Sequence, residues 1–500
     1  MNYQGKRVLV LGLGESGMAM ALWLHRCGAR LRVADTRAAP ARLPQLRRAV
    51  AELEFIAGEF GTALLDDIDF VAVSPGLAPQ RELAAIVPCA LQRQIPLCSE
   101  IELFAQALVA LRAERGYQPK VLAITGTNGK TTVTRLVGLL CQRAGLSVQV
   151  AGNVSPAALD ALRDALEREQ LPQAWVLELS SFQLHFTETL CADAATILNI
   201  SQDHLDWHGD MAAYIADKQR IFSPRCIAVL NRADPCSTRA ATQPAGGAST
   251  YTFGADAPQH SGCFGITIEH DVAWLTLAQG ESAVAGKRGA ARLAPAPVEL
   301  KRLMPVAALK IHGQHNAMNA LAALALCRAI DLPLAPLLHG LRDYAGEPHR
   351  VELVATIDGV DFFDDSKGTN VGATVAALTG LGADLNDAGR VLLIAGGDGK
   401  GQDFSPLVPP LTQYARAVFL IGRDAPLLRN ALTGPEITLL DCVSLEQAVE
   451  RAAAMAQTGD LVLLSPACAS LDMFRNYEHR SQVFVAAVRA RQTAAGGLPS

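Results

Sequence analysis

The chain has 500 residues, of which 50% are hydrophobic and 19% charged, enough apolar material for several cores and too little polarity for a disordered chain. A net charge of −5 leaves no basic surplus for nucleic acid, and no run of apolar residues is long enough to predict a membrane span. The eleven cysteines show neither C-x-x-C pairs nor zinc-ligand spacing, which predicts reduced thiols in a cytoplasmic protein.

Met1 to Gly12 enter a strand pattern directly, so no secretory signal is expected. Arg7-Val8-Leu9-Val10-Leu11 is a short apolar run suited to a buried parallel strand. Gly12-x-Gly14-x-x-Gly17 follows it, then a helix pattern from Met18 to Cys27 and a second strand, Leu31 to Ala34, ending at Asp35. Such a turn lets backbone N–H groups approach a diphosphate at a helix N-terminus, and the acid suits a ribose. These residues fit a nucleotide diphosphate, NAD included. Phe70 to Val73 is a further strand, closed by Ser74-Pro75-Gly76.

After the polar stretch Arg112 to Lys120, the strand Val121 to Ile124 runs into Thr125-Gly126-Thr127-Asn128-Gly129-Lys130-Thr131-Thr132 and a helix. Strand, glycine loop, Lys-Thr and helix are in P-loop order, although Ile124 stands where the general pattern begins with glycine. Here backbone N–H groups would cradle phosphates, Lys130 would reach the β and γ oxygens, and the Thr131 hydroxyl would meet Mg²⁺. A hydride-transfer enzyme has no use for this second loop. Glu178 ends the strand Trp175 to Glu178, a position suited to a metal beside such a loop. Asn199 closes the strand pattern Ala195 to Asn199, and Asp203-His204-Leu205-Asp206 follow, with Lys218 on a later helix pattern. Residues 232–310 are rich in Ala, Gly and Thr, with prolines at 258, 295 and 297, and predict short antiparallel strands and loops. A helix pattern then resumes from Asn316 to about Ala329.

The third block, from about Glu347, carries buried-strand runs at Val391 to Ala395, Ala417 to Ile421 and Leu461 to Leu464, and the last ten residues look frayed. The expected architecture is α/β in three domains. These are a Rossmann-like N-terminal domain (1–112), a central P-loop ATPase-type domain with extra short antiparallel strands (113–346), and a C-terminal Rossmann-like domain (347–500).

Taken together, Thr-Gly-Thr-Asn-Gly-Lys-Thr, Glu-Leu-Ser-Ser-Phe-Gln-Leu, Asp-His-Leu-Asp and Gly313-Gln314-His315-Asn316-x-x-Asn319-Ala320 resemble the Mur ligases. In the third block, Asp364-Asp365-Ser366-Lys367-Gly368-Thr369-Asn370, Gly396-Gly397-Asp398-Gly399-Lys400 and Ser465 to Asp472 resemble the D-glutamate-adding members. The Asp-Asn-Pro-Arg motif of the diaminopimelate- or lysine-adding relative is absent.

The resemblance implies a monomeric ATP-dependent ligase joining D-glutamate to UDP-N-acetylmuramoyl-L-alanine in peptidoglycan precursor synthesis. The alanyl carboxylate would be activated as an acyl phosphate, then attacked by the amine of glutamate. Gly126 to Thr132, Asn319, Arg350 and Asp365 would hold ATP. Gly14, Glu15, Ser16, Asp35, Thr36, Arg37, Gly76, Asn153 and His204 would hold the UDP-muramoyl substrate. Thr369, Lys400, Ser470, Leu471 and Tyr477 would hold D-glutamate. Two Mg²⁺ ions would rest on Thr131, Glu178, His204 and Lys218, the last as a carbamate, with Lys130, His204 and Lys218 as catalytic residues. Neither nucleic acid nor membrane is an expected partner. Ser180 and Ser181 are read as structural or positioning groups, because no protein nucleophile is needed. The alternatives are another Mur ligase, a folylpolyglutamate-type ligase or, on Gly12 to Asp35 alone, an NAD(P)-dependent oxidoreductase. Two departures are the extra length in 232–310 and the tail, and Ser481, which follows His479-Arg480 where the family often has glycine and bears on a local turn.

Overall fold

The computed structural model describes residues 3–240, 250–280, 298–311, 313–385, 388–434 and 437–494. Three sheets organise it, and the apolar runs read from the sequence form their inner strands. The first holds β1 (Arg7–Leu11), β2 (Arg30–Asp35), β3 (Glu54–Ala57), β4 (Phe70–Val73) and β5 (Leu97–Cys98) in the order β3-β2-β1-β4-β5. All its pairings are parallel. The order reverses between β1 and β4, where an open α/β sheet offers a crevice at its strand ends. The turn Gly12 to Gly17 and the turn Ser74 to Gly76 both sit there, pinned by Ser74 Oγ donating to Gly12 O at 2.8 Å.

The central sheet comprises β6 (Lys120–Thr125), β7 (Val148–Gly152), β8 (Ala174–Glu178), β9 (Ala194–Ile197) and β10 (Ile227–Asn231), continued by β11 (Tyr251–Phe253), β12 (Cys263–Glu269), β13 (Val272–Gln279) and β14 (Glu299–Pro305). Its order is β14-β13-β12-β11-β10-β9-β6-β8-β7. Strand β6 is paired in parallel on both sides, with β8 and β9, so their carboxyl ends come together. The expectation for 232–310 holds at β12–β13, which are antiparallel, but β11 pairs in parallel with both β10 and β12. Pro235–Ala240 also forms a short helix, which the weak periodicity hid. Pro295 and Pro297 lie outside the described residues.

The first two sheets belong to one compact unit, Met1–Ile200 with His204–Met304 and Ala320–Leu341, and share a hydrophobic core. Helices Glu15–Arg26, Glu100–Arg115 and Ala158–Glu167 fill it. Phe104 meets Trp175 of β8 edge-on at 4.9 Å between ring centroids, a geometry that adds about 1 kcal/mol to the burial of both rings. The Trp175 indole N–H is satisfied by Tyr117 Oη at 2.9 Å.

The second unit contains Ser201–Asp203, Pro305–Asn319 and Arg342–Ser500. Its sheet is β15 (Glu352–Ile357), β16 (Val360–Asp364), β17 (Val391–Gly396), β18 (Ala415–Ile421), β19 (Thr438–Asp441) and β20 (Leu461–Leu464), in the order β15-β16-β20-β17-β18-β19. Only the edge strand β15 is antiparallel, and apolar clusters line both faces. The closing helix runs Tyr477–Ala494, past the predicted fraying point at Arg491, while the six residues beyond it lie outside the described set.

Candidate functional site

In the first unit the P-loop leaves β6 through Gly126, with φ of 151°, and enters the helix Lys130–Arg143 through Gly129, with φ of 81°. Both values favour glycine, and a Cβ on Gly126 would stand 3.0 Å from the Leu198 Cβ. Asn199 fixes the loop from outside. Its carbonyl accepts from the Thr127 N–H at 2.9 Å, and its side chain bonds both the N–H and the carbonyl of Asn128, at 2.8 and 3.1 Å. Asn199 lies just beyond β9 rather than within it, and its role as loop anchor was not evident from its type. Lys130 Nζ donates to the carbonyls of Gly126 and Thr127 at 3.0 and 2.8 Å, and Thr131 is buried beside it.

Lys218 is only 1% exposed, on the helix Met211–Gln219. Its Nζ donates to Gly126 O at 2.9 Å and to Thr125 Oγ1 at 3.3 Å, so Lys130 and Lys218 share one loop carbonyl. Tyr214, one helical turn earlier, sets its ring 4.7 Å from that amine and bonds Thr127 Oγ1 at 3.0 Å. The spacing of four between Tyr214 and Lys218 is the signal that would have found it.

Glu178 closes β8 opposite Ile124 of β6. Its Oε1 accepts from Asn153 Nδ2 at 2.8 Å, while Oε2 is buried with no hydrogen-bond partner among the described residues. A buried carboxylate oxygen left without a donor is costly, and a hard cation is a suitable partner for it. The donor set of Thr131 and Glu178 therefore fits a Mg²⁺ ion. Gly152 makes the close approach possible: a Cβ there would meet Glu178 O at 2.3 Å. His204 holds φ of 56° and turns its ring onto Phe182, 4.7 Å between centroids, on the short helix Ser181–His185 that follows Glu178. Ser180 caps that helix in a capping box with Gln183. The predicted group Lys130, Thr131, Glu178, His204 and Lys218 thus gathers around the ends of β6, β8 and β9.

Beside this group lies a cluster of which the sequence singles out only Ser181, as a structural or positioning group. Asp217 accepts from His185 Nδ1 at 2.8 Å and His208 Nδ1 at 3.0 Å, and His208 Nε2 lies 2.9 Å from Ser181 Oγ. Burial alone would raise the Asp217 carboxyl, but the two imidazole hydrogen bonds outweigh it and hold it below the usual carboxylate range.

At the first sheet, Gly14, Glu15, Thr36, Arg37 and Gly76 are exposed and Ser16 half-buried, around the β1/β4 crevice. Asp35 is buried, accepting from Leu13 N at 2.7 Å and from the Arg37 guanidinium at 2.7 and 2.8 Å. Burial opposes its charge, yet the bonds from Arg37 and Leu13 win and hold the carboxyl down at about 2. Ser155 Oγ donates to Glu15 Oε1 at 2.8 Å, so Glu15 is tied to the loop that follows Asn153.

The second unit holds the other predicted residues: Asp365, Thr369, Lys400, Ser470 and Leu471 follow the carboxyl ends of β16, β17 and β20, whereas Asn319 lies on the helix Gln314–Ala329, Arg350 precedes β15 and Tyr477 opens the last helix. Asp365 accepts from Ser465 Oγ at 2.6 Å, and burial pushes its carboxyl up to about 7. Asn319 donates to Asn316 Oδ1 at 3.1 Å, and Asn316 and Arg350 line a cavity of about 660 Å³ with Phe363, Leu381 and Leu461. Thr369 is half-buried, Ser470 is buried, and Leu471 is 72% exposed. Lys400 holds φ of 52° in the loop after β17, and the Tyr477 ring lies 5.2 Å from Lys367 Nζ. Arg480, fully buried behind these loops, donates to Ser366 O at 2.8 Å and Cys468 O at 3.1 Å. Ser481 corrects an expectation: it occupies no turn but the interior of the last helix, where its hydroxyl bonds His349 Nδ1 at 2.7 Å and Asp364.

Among the described residues no helix is long and apolar enough to cross a membrane. Three family models match the chain. They are the Mur ligase MurD-like N-terminal domain over residues 6–96, the Mur ligase middle domain over 124–327, and the Mur ligase glutamate ligase domain over 349–468. The UDP-N-acetylmuramoylalanine--D-glutamate ligase of Ralstonia nicotianae is 60% identical over 97% of this chain and 96% of its own. The protein of the same name from Cupriavidus pinatubonensis is 57% identical over 99% of each. Among solved structures, MurF ligase from Thermotoga maritima in complex with ADP aligns with a TM-score of 0.58 at 15% identity, covering 98% of this chain and 96% of that one. That likeness speaks for the fold.

Proposed function

The chain belongs to the Mur ligase family, and we propose that within it the protein is the ATP-dependent ligase that adds D-glutamate to UDP-N-acetylmuramoyl-L-alanine during peptidoglycan precursor synthesis in the cytoplasm. The observation that carries the reading is the convergence of two lysines, Lys130 and Lys218, on one P-loop carbonyl beside a buried, half-satisfied Glu178. A dehydrogenase would use none of these groups.

The assignments follow the strand ends. Residues 1–112 hold the UDP moiety: Gly14, Glu15 and Ser16 supply the glycine turn, and Asp35, Thr36, Arg37 and Gly76 the rim. Residues 113–346 hold the triphosphate on Gly126 to Thr132, with Asn153 and His204 near the muramoyl end. Residues 347–500 take D-glutamate through Thr369, Lys400, Ser470, Leu471 and Tyr477, and Arg350 and Asp365 grip ATP together with Asn319. Lys400 supplies positive charge for a dicarboxylate.

The difficulty in the first step is repulsion between a carboxylate and a triphosphate. Lys130 exchanges its two loop carbonyls for phosphate oxygens and so brings a positive charge to the γ-phosphate, while the loop N–H groups fix its position. Thr131 and Glu178 would hold one Mg²⁺ ion and His204 and Lys218, as a carbamate, a second. Mg²⁺ supplies neutralisation of charge on the oxygens it touches. An ammonium cannot ligate such a cation, whereas a carbamate offers anionic oxygen, which is why Lys218 is assigned the modified form. The acyl phosphate formed from the alanyl group is then attacked by the glutamate amine, and phosphate leaves.

The test is phosphate release from ATP in the presence of UDP-N-acetylmuramoyl-L-alanine and D-glutamate, each omitted in turn. Release should require both, should not occur with L-glutamate or meso-diaminopimelate, and should fall by roughly 100-fold or more in Lys130→Ala. In Lys218→Ala, activity should be lost and partly restored by a small added carboxylate. Release without D-glutamate, or full activity of Lys218→Ala, contradicts the assignment.

A further inference from the structure

We infer that Ser181, His208 and Asp217 form a positioning network that sets the geometry of the cation-binding groups Glu178, His204 and Lys218. The inference rests on the assignment of those three groups to Mg²⁺ and extends it to residues that touch neither substrate nor ion.

The argument is one of connectivity. Each proposed ligand sits on a different segment, and each segment carries one member of the network close by. Glu178 ends β8, and Ser181 begins the short helix three residues later. His204 immediately precedes the helix Leu205–His208, which His208 ends. Lys218 directly follows Asp217 on the helix Met211–Gln219. The bonds from Ser181 Oγ to His208 Nε2 (2.9 Å) and from His208 Nδ1 to Asp217 (3.0 Å) tie the three segments in series, and His185 Nδ1 at 2.8 Å gives Asp217 a second hold on the first helix.

Ser181, His208 and Asp217 are respectively 2%, 4% and 6% exposed. The order Ser, His, Asp is that of a hydrolytic triad, but the acyl phosphate is made with ATP and attacked by an amine, so the reaction needs no protein nucleophile and the network is read as positioning. Phe182 stacks on the His208 ring, 5.5 Å between centroids and inclined by 18°, and Trp207 and Tyr214 flank it. This aromatic cage leaves His208 little rotational freedom, so a small displacement of the imidazole is passed to all three segments. Groups that orient metal ligands typically influence metal affinity by about 10- to 100-fold.

The experiment measures Mn²⁺ binding by electron paramagnetic resonance to full-length enzyme carrying a non-hydrolysable ATP analogue, with ADP affinity in the absence of metal as the companion reading. His208→Phe keeps the ring stack and removes both hydrogen bonds; Asp217→Asn and Ser181→Ala are the milder variants. His204→Ala and Lys218→Ala are the reference variants. The network predicts Mn²⁺ affinity weakened by about 10- to 100-fold in His208→Phe with ADP affinity unchanged, and a smaller weakening in Asp217→Asn. Unchanged Mn²⁺ affinity in His208→Phe, beside weakened binding in His204→Ala, overturns the network alone. Unchanged binding in His204→Ala and Lys218→Ala overturns the cation assignment beneath it. Parallel loss of ADP and Mn²⁺ affinity in all three network variants reduces the cluster to general packing and also overturns the proposal. Should His208→Phe fail to fold, Asp217→Asn and Ser181→Ala decide by the same criteria.

Discussion

Glu100 shows how much a single side chain can depend on its surroundings. In sequence it is an unremarked acid, and in the structure it opens the helix Glu100–Arg115. In the fold it is 1% exposed, accepts from Leu159 N at 2.6 Å, and leaves Oε2 without a partner among the described residues. Burial dominates over the Leu159 bond and raises its carboxyl from 4.5 to about 7. A carboxyl raised on folding favours the native state while it stays protonated. That contribution is therefore present below the unfolded value and lost as pH rises through the folded one. Over a window from 4.5 to about 7 the loss is about 3 kcal/mol at 1.36 kcal/mol per unit. Glu100→Gln keeps the acceptor for Leu159 and removes the ionisation. Its melting temperature should exceed that of the parent at pH 8 and converge with it near pH 5; parallel curves would show that this group does not titrate with folding. At the same scale, Lys130 and Glu178 stand out as candidates from the P-loop order and a strand end, whereas Lys218 becomes one only through the resemblance to the Mur ligases. His208 and Asp217 were not legible, since their partners lie on other segments of the chain.

For elements, the inner strands were the most readable part, and β1, β4 and β20 fall on the apolar runs because both faces of a parallel sheet are covered. The pairing of β11 and the helix Pro235–Ala240 were not readable, because tertiary contacts rather than local pattern decide them. Glycine spacing gave more than composition could. A Cβ on Gly17 would lie 1.9 Å from Gly12 O, so the helix Glu15–Arg26 can approach β1 only without a side chain there. Gly17→Ala should force the two apart at a cost of about 1–3 kcal/mol. Calorimetric titration should then show binding of the UDP substrate lost while ADP binding at Gly126 to Lys130 persists. Loss of both, or of neither, would separate the turn from the role assigned to it. Ser481 marks the limit of motif reading: a replacement for glycine looked like a change of turn, yet the helix continues and the hydroxyl joins Asp364 and His349.

For the whole molecule, composition promised several cores, and two compact units with separate cores are present. The expectation of three α/β domains is met at the level of sheets, while the first two sheets share a core. Separate cores predict that heat unfolding is not a single two-state event. Asp460 tests this from one side. It is 2% exposed and accepts from the N–H groups of Arg390 and Gln457 and from the Arg416 guanidinium at 2.7 and 3.0 Å. Asp460→Ala strands those donors, and because Arg416 is partly exposed the change is expected to cost about 1–3 kcal/mol. Scanning calorimetry should show one transition lowered and another in place; a single transition moving as a whole would deny the units their independence.

Gly126 and Gly152 have a consequence for inhibition. A Cβ on Gly152 would collide with the Glu178 carbonyl at 2.3 Å, and one on Gly126 would press on Leu198 at 3.0 Å from a backbone with φ of 151° that a side chain strains. An inhibitor anchored on the backbone at these two positions meets a surface that point substitution cannot reshape while the ligase still works. Resistance selected against such a compound should therefore arise by raised expression or efflux, and an active enzyme substituted at either glycine would show that this route of escape is open.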